Sequence, residues 1–407
     1  MTTDGVPREP LAAQTWPALT YEAQVWIPSS QAIWGTGIES AARSQRYESA
    51  VPPSIAGLMP EPDDEAGHAA AEAERELTRF DAELGNSVAS FAPVLLRSEA
   101  ASSSQIENLT ASARAIFSAE LGAKTGRNAV QIAANTRAMQ AAIELSHDVT
   151  SEAIREMHAV LMESEPRHTP GRWRDTAVWI GTRTDSPIGA SFVAPHHGRI
   201  PTLIDDLTAF VSDTRVPALV SVAVAHAQFE TIHPFTDGNG RTGRALAQSL
   251  LRHRGVTRNV AVPVSAGLLA DVEGYHRALA AYREGDVSPI VLAFAQASLR
   301  AVGNSRMLVA DIEAIRDGWA ERLTVRRDSN AWRLLEVLAR RPVLDSATAA
   351  AELGVRQSNV YPPFAALVDA GIVQSKAEHR PGPFWCSDEI LGAINEFARR
   401  AGRREAS

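Results

Sequence analysis

The chain has 407 residues, of which 45% are hydrophobic and 22% are charged, and its formal net charge is −8. At roughly 150 residues per domain, this composition is typical of a globular protein with two or three domains. The acidic balance argues against bulk nucleic acid or an anionic membrane as the main partner. The single cysteine, Cys386, excludes an internal disulfide framework and a cysteine-rich zinc site, and it fits a reducing, cytoplasmic location.

The first part of the chain is predicted to be irregular and then helical. Residues 1–62 hold several prolines and the apolar piece at residues 25–27, and the first ten residues lack the hydrophobic segment of a secretory signal. From residue 66 to about 162 the chain is alanine- and glutamate-rich, with apolar residues such as Leu77 and Phe80 at helical spacing. We therefore expect several helices here.

A β-hairpin is predicted to interrupt the helices. Residues 178–180 and 191–193 are short β-like runs, and turn-forming residues fill the long polar tip at 181–189. Helical sequence resumes at about residue 201 and continues with interruptions to about 325. No apolar run is long enough to span a bilayer, so we expect no membrane association.

The stretch from Thr231 to Arg244, TIHPFTDGNGRTGR, carries the chemistry. A buried helix is predicted to end near His233, because Pro234 follows it. The glycine-rich turn leaves backbone N–H groups clear of side chains, and an apolar helix begins directly after it. A glycine-rich turn that opens a helix predicts an anion-binding site.

Charged side chains surround this predicted anion site. Arg241 and Arg244 are three residues apart and share one helix face, which suits several phosphates of one polyphosphate chain. Asp237 is a single hard carboxylate of the kind that holds Mg²⁺ together with substrate phosphates. His233 has an ordinary pKa suited to taking a proton from an attacking hydroxyl. The set predicts transfer of a phosphorus-centred group to a hydroxyl.

Other interpretations of these residues are weaker. The glycine spacing also fits a dinucleotide-binding fingerprint, but that motif requires a preceding strand, and here a helix precedes it. His233 could be an ordinary helix-end histidine without a catalytic role. His226 is interpreted as a packed core histidine, and His196 and His197 as solvated loop residues, because no third metal ligand lies nearby.

Residues 233–244 match the HPFx(D/E)GNGRxxR motif position by position, and the chain thereby resembles the Fic/Doc (Fido) family over roughly residues 53–300. Family members typically transfer AMP from ATP to a Ser, Thr or Tyr hydroxyl of a protein, with Mg²⁺. The resemblance implies a mainly α-helical Fic core with a short β-hairpin flap, and it leaves a homodimer open. We expect an N-terminal extension with helices at 1–100, the Fic core at 101–327 and a winged-helix-like domain at 328–407.

The resemblance also implies roles for individual residues. His233 would be the general base, Asp237 the Mg²⁺ ligand, and Tyr275 would lie near the adenine or ribose. Phe235 would anchor the loop from below. The implied nucleotide-binding set is Phe235, Thr236, Gly238, Asn239, Gly240, Arg241, Arg244 and Tyr275. The flap would pair with the backbone of the target protein like an added strand and so present its hydroxyl.

A second motif lies upstream of the first. Ser103, Glu107 and Asn108 stand at the positions of the family's inhibitory helix motif, (S/T)xxxE(G/N). The resemblance implies that Glu107 pairs with Arg244 where the γ-phosphate would bind. Ser104 and Glu107 also fit a capping box at a helix start. The two interpretations are compatible, and beside the complete Fic motif we favour the inhibitory one.

The C-terminal part resembles a winged helix-turn-helix in outline. Helices are predicted at residues 331–339, 346–353, 356–370 and 388–400, with a small hairpin around 380–383. Pro362 and Pro363 would break or restart the third helix. Residues 330–407 carry ten basic against nine acidic residues, so we favour protein interaction over DNA binding, although the arginines at 399, 400, 403 and 404 could form a local basic patch.

The expected function is Mg²⁺-dependent transfer of AMP from ATP to a hydroxyl side chain of a target protein and of the enzyme itself, restrained by Glu107. Removal of AMP from a modified protein by the same site is an alternative, in which Glu107 would position water. Phosphocholine or phosphate transfer is a more remote one. A protein of another class, a DNA-binding regulator whose Fic core senses nucleotide, is the remaining alternative.

Overall fold

The computed structural model describes residues 16–27, 44–85, 88–165, 167–181, 183, 185–378 and 382–402. Over these residues the chain forms fifteen α-helices and seven short strands, which confirms the predicted mainly helical class. Several predicted features lie outside the described residues, namely residues 1–10, Arg403, Arg404, residues 182 and 184 of the flap tip and residues 380 and 381 of the C-terminal turn.

The prediction of an irregular N-terminal region is wrong for residues 20–26 and 45–51, which form two paired strands. Strand β1 (Thr20–Trp26) pairs antiparallel with β2 (Gln45–Val51), with Thr20 opposite Val51. Residues along β1 alternate between exposed and half-buried, as strand residues do. In β1 the half-buried face carries Glu22, Gln24 and Trp26, whereas Tyr21, Ala23 and Val25 are exposed. The usual arrangement of apolar residues on the buried face is therefore absent, and hydrophobicity did not reveal the strand.

Helices and the flap follow in the predicted order. Before the flap come α1 (Asp64–Glu83), α2 (Val88–Ile106), α3 (Ala113–Glu120), α4 (Arg127–Glu144) and α5 (Ser151–Met162). The flap pairs β3 (Trp179–Ile180) antiparallel with β4 (Phe192–Val193), which confirms the predicted hairpin. After it come α6 (Ile200–Val211), α7 (Ala218–Ile232), α8 (Asn239–His253), α9 (Val264–Leu269), α10 (Val272–Arg283) and α11 (Ser288–Arg322).

Helix α7 lies at the centre of the bundle. All of its residues are buried, because a helix that is largely apolar on every side can only be accommodated inside a core. Its buried amide Gln228 is satisfied by the carbonyl of Pro53 and the hydroxyl of Tyr282. Among the described helices none is long and apolar enough to cross a membrane. Because α7 is buried along its whole length, the surrounding core supports the α7–α8 junction, which carries the motif.

The C-terminal region packs on the same bundle. It contains α12 (Asn330–Arg340), β5 (Val343–Leu344), α13 (Ser346–Leu353), α14 (Tyr361–Asp369), β6 (Gln374–Glu378), β7 (Gly382–Cys386) and α15 (Asp388–Ala401), with strand order β5-β7-β6. Helix α14 starts at Tyr361, and Pro362 and Pro363 occupy its first turn, so the prolines restart the helix as predicted. The winged-helix assignment and the three domain boundaries stay predictions.

Candidate functional site

The motif lies where α7 ends and α8 begins. His233 is the C-cap of α7 with φ 49°, and Gly238 precedes α8 with φ 75°. Both angles are in the left-handed region, which disfavours a residue that carries a side chain. Pro234 has no N–H with which to continue the helix. The chain therefore turns sharply at His233 and starts a new helix after Gly238.

Phe235 and Asn239 hold this loop from below. The Phe235 ring is fully buried and stacks on the His158 ring, with centroids 3.6 Å apart. The Asn239 amide oxygen accepts the N–H of Phe235, and the amide nitrogen donates to the Phe235 carbonyl, both at 2.9 Å. Phe235 thus lies where a loop anchor must lie, and Asn239 acts through its side chain as a brace.

His158, on α5, fixes the middle of the loop. Its Nδ1 accepts the backbone N–H of Gly171 at 3.0 Å, so the ring proton is on Nε2, which donates to the Asp237 carbonyl at 3.1 Å. Burial lowers the pKa of His158 to about 4, and the ring is neutral at pH 7. No local pattern in the sequence indicates this contact, because the partners are 79 residues apart.

The imidazole of His233 is also neutral at pH 7. Burial lowers its pKa to about 4, and the positive charges of Arg174 and Arg283 act in the same direction. A hydrogen bond to the backbone carbonyl of Glu230 and the charge of Glu107 oppose this shift only in part. One ring nitrogen is thus a donor to a carbonyl and the other is an acceptor, which is the state that a general base needs.

The N-terminus of α8 has the features of an anion site. Gly238 occupies the N-cap and provides no capping side chain, so the first N–H groups of the helix stay available. A Cβ at Gly238 would come within 3.0 Å of the Met162 sulfur, and the positive φ disfavours any side chain there. Burial lowers the pKa of Arg241 by more than the nearby carboxylates raise it. Its charge is therefore undercompensated, which favours a bound anion.

Arg244 is the most buried charge of the site, at 2% exposure of the side chain, whereas Glu107 is 41% exposed. Arg244 Nε donates to Ser103 Oγ at 2.9 Å, and Nη2 donates to the Ser103 carbonyl and to Glu107 Oε1, each at 2.8 Å. A Cβ at Gly240 would overlap Glu107 Oε1. The structure thus brings Ser103, Glu107 and Arg244 together, with the carboxylate directly over the start of α8.

The interpretation of Ser104 and Glu107 as a capping box at a helix start is wrong, because these residues end α2. The N–H of Leu109 donates to the Ser104 carbonyl, that of Asn108 donates to the Gln105 carbonyl, and Asn108 has φ 60°. These are the bonds of a Schellman motif at a helix C-terminus, with Asn in the left-handed position. The S-x-x-E spacing occurs at both ends of helices, so it did not show which end of the helix Ser104 and Glu107 occupy.

Asp237, the predicted Mg²⁺ ligand, presents an accessible carboxylate beside the anion site. Its Oδ1 accepts the N–H of Gly238 at 2.7 Å, and its Oδ2 lies 3.5 Å from His168 Nε2. The Thr236 hydroxyl hydrogen-bonds His168 Nδ1 at 3.0 Å. Within the described part of the chain, no group of three His, Cys, Asp or Glu side chains could hold a metal by itself. A single carboxylate at this place fits Mg²⁺ that is shared with phosphate oxygens.

Tyr275 lies at the floor of the site. Its side chain is buried, and its hydroxyl hydrogen-bonds His226 Nε2 at 2.7 Å. His226 is itself fully buried, as expected of a core histidine. Contact between Tyr275 and the nucleoside stays a prediction.

Sequence reasoning missed Glu230, a buried carboxyl on α7 beside Gly243, whose pKa is raised by burial to about 7.

Sequence reasoning also missed Arg174, which lies between α5 and the flap. It is 3% exposed and contacts the backbone of the loop at His233.

His196 and His197 follow the flap, with ring centroids 4.1 Å apart and both side chains partly exposed. They agree with the predicted loop position and lie apart from the motif in sequence.

Comparison with known proteins agrees with this geometry. A model of the Fic/DOC family matches residues 148–251, which span α5, the flap, α7, the loop and most of α8. This segment of the chain resembles the Fic/DOC family. The matched segment contains His233 and the whole loop, but Glu107 and Tyr275 lie outside it.

Named relatives match a similar part of the chain. Protein adenylyltransferase fic-1 of Caenorhabditis briggsae is 28% identical over 145 residues, which are 36% of this chain and 26% of that protein. The protein of the same name from Caenorhabditis elegans is 30% identical over 146 residues, with the same two shares. This chain thus spans about a quarter of the length of the curated relatives it matches. A crystal structure of a Fic family protein from Desulfovibrio desulfuricans G20 shares the fold, with TM-score 0.51 and 20% identity over 83% of this chain and 99% of that one.

The brace formed by Asn239 makes a first prediction. In Asn239→Asp the Phe235 carbonyl would face a carboxylate oxygen in place of an amide donor, which costs about 1–3 kcal/mol. The favourable interaction of the new carboxylate with the dipole of α8 would offset about 0.3–1 kcal/mol of this loss. We expect a lower free energy of unfolding in urea. The control is Asn128→Asp, because Asn128 bonds the Thr110 carbonyl at an exposed position and should change stability by less than about 0.5 kcal/mol. Equal losses in the two variants would contradict the brace.

Proposed function

We propose that this protein transfers AMP from ATP to a hydroxyl side chain of a target protein, and to itself, with Mg²⁺. The observation that carries the proposal is the neutral imidazole of His233 beside the uncapped N-terminus of α8 and its two arginines. The names of the relatives, protein adenylyltransferases, support this activity and ATP as the donor across the matched region. Incubation of the purified protein with labelled ATP, CTP, GTP and UTP tests it, and label from ATP alone is expected.

The residues of the site meet the needs of this reaction. The hydroxyl oxygen of the target forms a bond to the α-phosphorus, the bond from that phosphorus to the oxygen bridging to the β-phosphorus breaks, and pyrophosphate leaves. His233 accepts the proton of the hydroxyl. The N–H groups at 238–240 hold the α- and β-phosphate oxygens, while Arg241 and Arg244 hold the others. When bound through Asp237 and the phosphates, Mg²⁺ supplies neutralisation of the charge on the leaving group.

Glu107 is proposed to restrain the activity. It already occupies Nη2 of Arg244, so a γ-phosphate would compete for the same donor and bring negative charge beside a carboxylate. ATP would then bind weakly or in a bent pose, and in-line attack would fail on geometry. Because Glu107 is 41% exposed while Arg244 is buried, the carboxylate can leave without opening the core.

The target protein is proposed to pair with the flap, which would place a Ser, Thr or Tyr hydroxyl by register. One face of the flap segment packs against β2, since Phe192 and Ala194 cluster with Ala50. The C-terminal region is proposed to be a winged-helix-like domain that docks a protein partner, at a cytoplasmic location.

His233→Ala is expected to keep ATP binding while it loses transfer. A positioned base contributes about 10²–10⁴-fold to the rate, whereas the phosphate-binding groups are on α8 and unchanged. The change is best made in the Glu107→Gly background, with calorimetric titration of ATP beside radiolabel incorporation. Self-labelling within a factor of about two of the parent would contradict the assignment of the base.

Asp237→Ala is expected to leave a low residual activity that no longer depends on Mg²⁺. The reason is that Asp237 is the accessible carboxylate beside the phosphate-binding N–H groups. The measurement is the rate of labelling against Mg²⁺ concentration. Asp213→Ala is the control, because Asp213 is in an exposed loop and pairs with Arg215. A Mg²⁺ curve for Asp237→Ala that matches this control would mean that another group holds the metal.

Glu107→Gly is expected to raise self-labelling from ATP by about 10²-fold or more, because Arg244 becomes free for the γ-phosphate and the bound geometry becomes productive. Glu144→Gly is the matched control, since Glu144 is an exposed glutamate at the end of α4 whose carboxylate accepts from Gln140, and it should leave the rate unchanged. An unchanged or lower rate for Glu107→Gly would contradict inhibition. It would favour removal of AMP, with Glu107 positioning water.

A further inference from the structure

Arg174 is a buried arginine whose acceptors are all backbone carbonyls. It is 3% exposed and lies in the segment between α5 and β3. Burial lowers its pKa to about 10, so the guanidinium is still charged at pH 7. In the described ranges of the chain no carboxylate lies within ion-pair distance of it. A buried charge without a counter-ion is costly, so its hydrogen bonds must account for its presence.

Those hydrogen bonds join the flap to the loop. Arg174 Nε donates to the His233 carbonyl at 2.8 Å, and its backbone N–H donates to the Pro234 carbonyl at 2.9 Å. Nη1 donates to the Thr176 carbonyl at 2.9 Å, and Nη2 donates to the Pro195 carbonyl at 2.7 Å. Thr176 and Pro195 stand just outside the two ends of the hairpin, so one side chain bridges both flap ends and the residue after α7.

The backbone at His233 needs such support. Its left-handed conformation, φ 49°, is disfavoured for a residue with a Cβ. Such a conformation persists only where surrounding contacts over-determine it. The N–H of His233 bonds the Phe229 carbonyl, and Arg174 takes the carbonyl of the same residue. Both backbone polar groups of His233 are thus held, one by α7 and one by Arg174.

We propose that Arg174 is a positioning residue that fixes the backbone of His233 relative to the flap, so that the proton acceptor and the target hydroxyl are set in one frame. This inference rests on the proposed function, in which His233 is the base and the flap presents the target. A flap that moved without the loop would separate the base from the hydroxyl, and an error of about 1 Å can cost about 10²-fold in rate.

The charge of Arg174 has a second, separable effect on His233. The charged groups that face the imidazole are Arg174, Arg283 of α10 and Glu107 at the end of α2; the two arginines disfavour the imidazolium and Glu107 favours it. Burial acts in the same direction as the arginines and is the largest cause. Loss of the Arg174 charge should therefore raise the pKa of His233 toward its usual range without reaching it.

Two substitutions separate placement from charge. Arg174→Lys keeps the charge but loses the planar fork that reaches carbonyls on both sides, and Arg174→Gln keeps a donor but loses the charge. In the Glu107→Gly background we expect both to lower kcat for labelling by about 10²-fold, with the KM for ATP nearly unchanged. Only Arg174→Gln should raise the titration midpoint of His233, followed by NMR of protein with ¹³C-labelled histidine and assigned by the signal lost in His233→Ala.

Arg254 provides the matched control. It also donates to backbone carbonyls alone, those of Asp213, Thr214 and Val216, and it is remote from the loop. Arg254→Lys and Arg254→Gln should lower Tm but leave kcat and the His233 midpoint unchanged.

Each outcome decides the inference. A kcat in Arg174→Lys equal to that of its Glu107→Gly parent overturns the inference, even if Arg174→Gln fails to fold. A loss of kcat that the Arg254 variants share at equal loss of Tm also overturns it, because the effect is then one of stability. If no nucleotide is transferred even by Glu107→Gly, the proposed function fails. The titration midpoint of His233, measured by NMR, then still tests the contact between Arg174 and His233. An unchanged midpoint in folded Arg174→Gln overturns that contact.

Discussion

The charge of Arg244 is the constraint on which the rest of the site depends. A guanidinium that is 2% exposed must be paired, because an unpaired buried charge costs several kcal/mol. In this structure the end of α2 supplies three acceptors for Arg244, namely the hydroxyl and carbonyl of Ser103 and the carboxylate of Glu107. Under the proposed function, a polyphosphate is the other partner that this charge would take. The pair of Arg244 with Glu107 and the bound nucleotide would then exclude each other on grounds of charge.

The loop beside Arg244 is rigid for physical reasons that lie in other elements. His158 of α5 bonds its middle, Asn239 of α8 braces its start, and Arg174 bonds the carbonyl of His233. These contacts hold a strained turn that local sequence preferences would not maintain. An anion site built from backbone N–H groups needs this rigidity, since its donors have no side-chain freedom with which to adjust.

The parts of the site that the sequence revealed are those whose chemistry is local. One stretch of chain contains three such features. They are the glycine-rich turn, the spacing of Arg241 and Arg244, and the single carboxylate of Asp237. His158 and Arg174 were given no role, because their partners are backbone carbonyls distant in sequence and a carbonyl has no residue type to recognise. The strand pair at 20–26 and 45–51 was missed because the half-buried face of β1 is largely polar and its apolar residues are exposed. The end of α2 was mistaken for a helix start because the S-x-x-E spacing occurs at both ends of helices.

The corrected end of α2 explains the form of the inhibitory motif. In a Schellman motif the residue after the C-cap takes a left-handed conformation, which glycine adopts freely and asparagine tolerates. Asn108 occupies that position with φ 60°, and this places Glu107 at the C-cap, where the chain leaves the helix axis. The Gly or Asn at the end of the motif is then a backbone requirement, and the Glu before it is the group that we propose to be inhibitory.

The place of Glu107 is in turn set by the packing of α2. Asn135 of α4 bonds the Ala100 carbonyl and the Ser104 hydroxyl, and Ser265 of α9 donates twice to the buried carboxyl of Glu99. Helices α12 and α15 cover α2 as well. A shift of α2 by a single residue, about 1.5 Å along its axis, would break these bonds and withdraw Glu107 from Gly240. The pairing of Glu107 with Arg244 is thus a property of the whole bundle, in which the C-terminal helices take part.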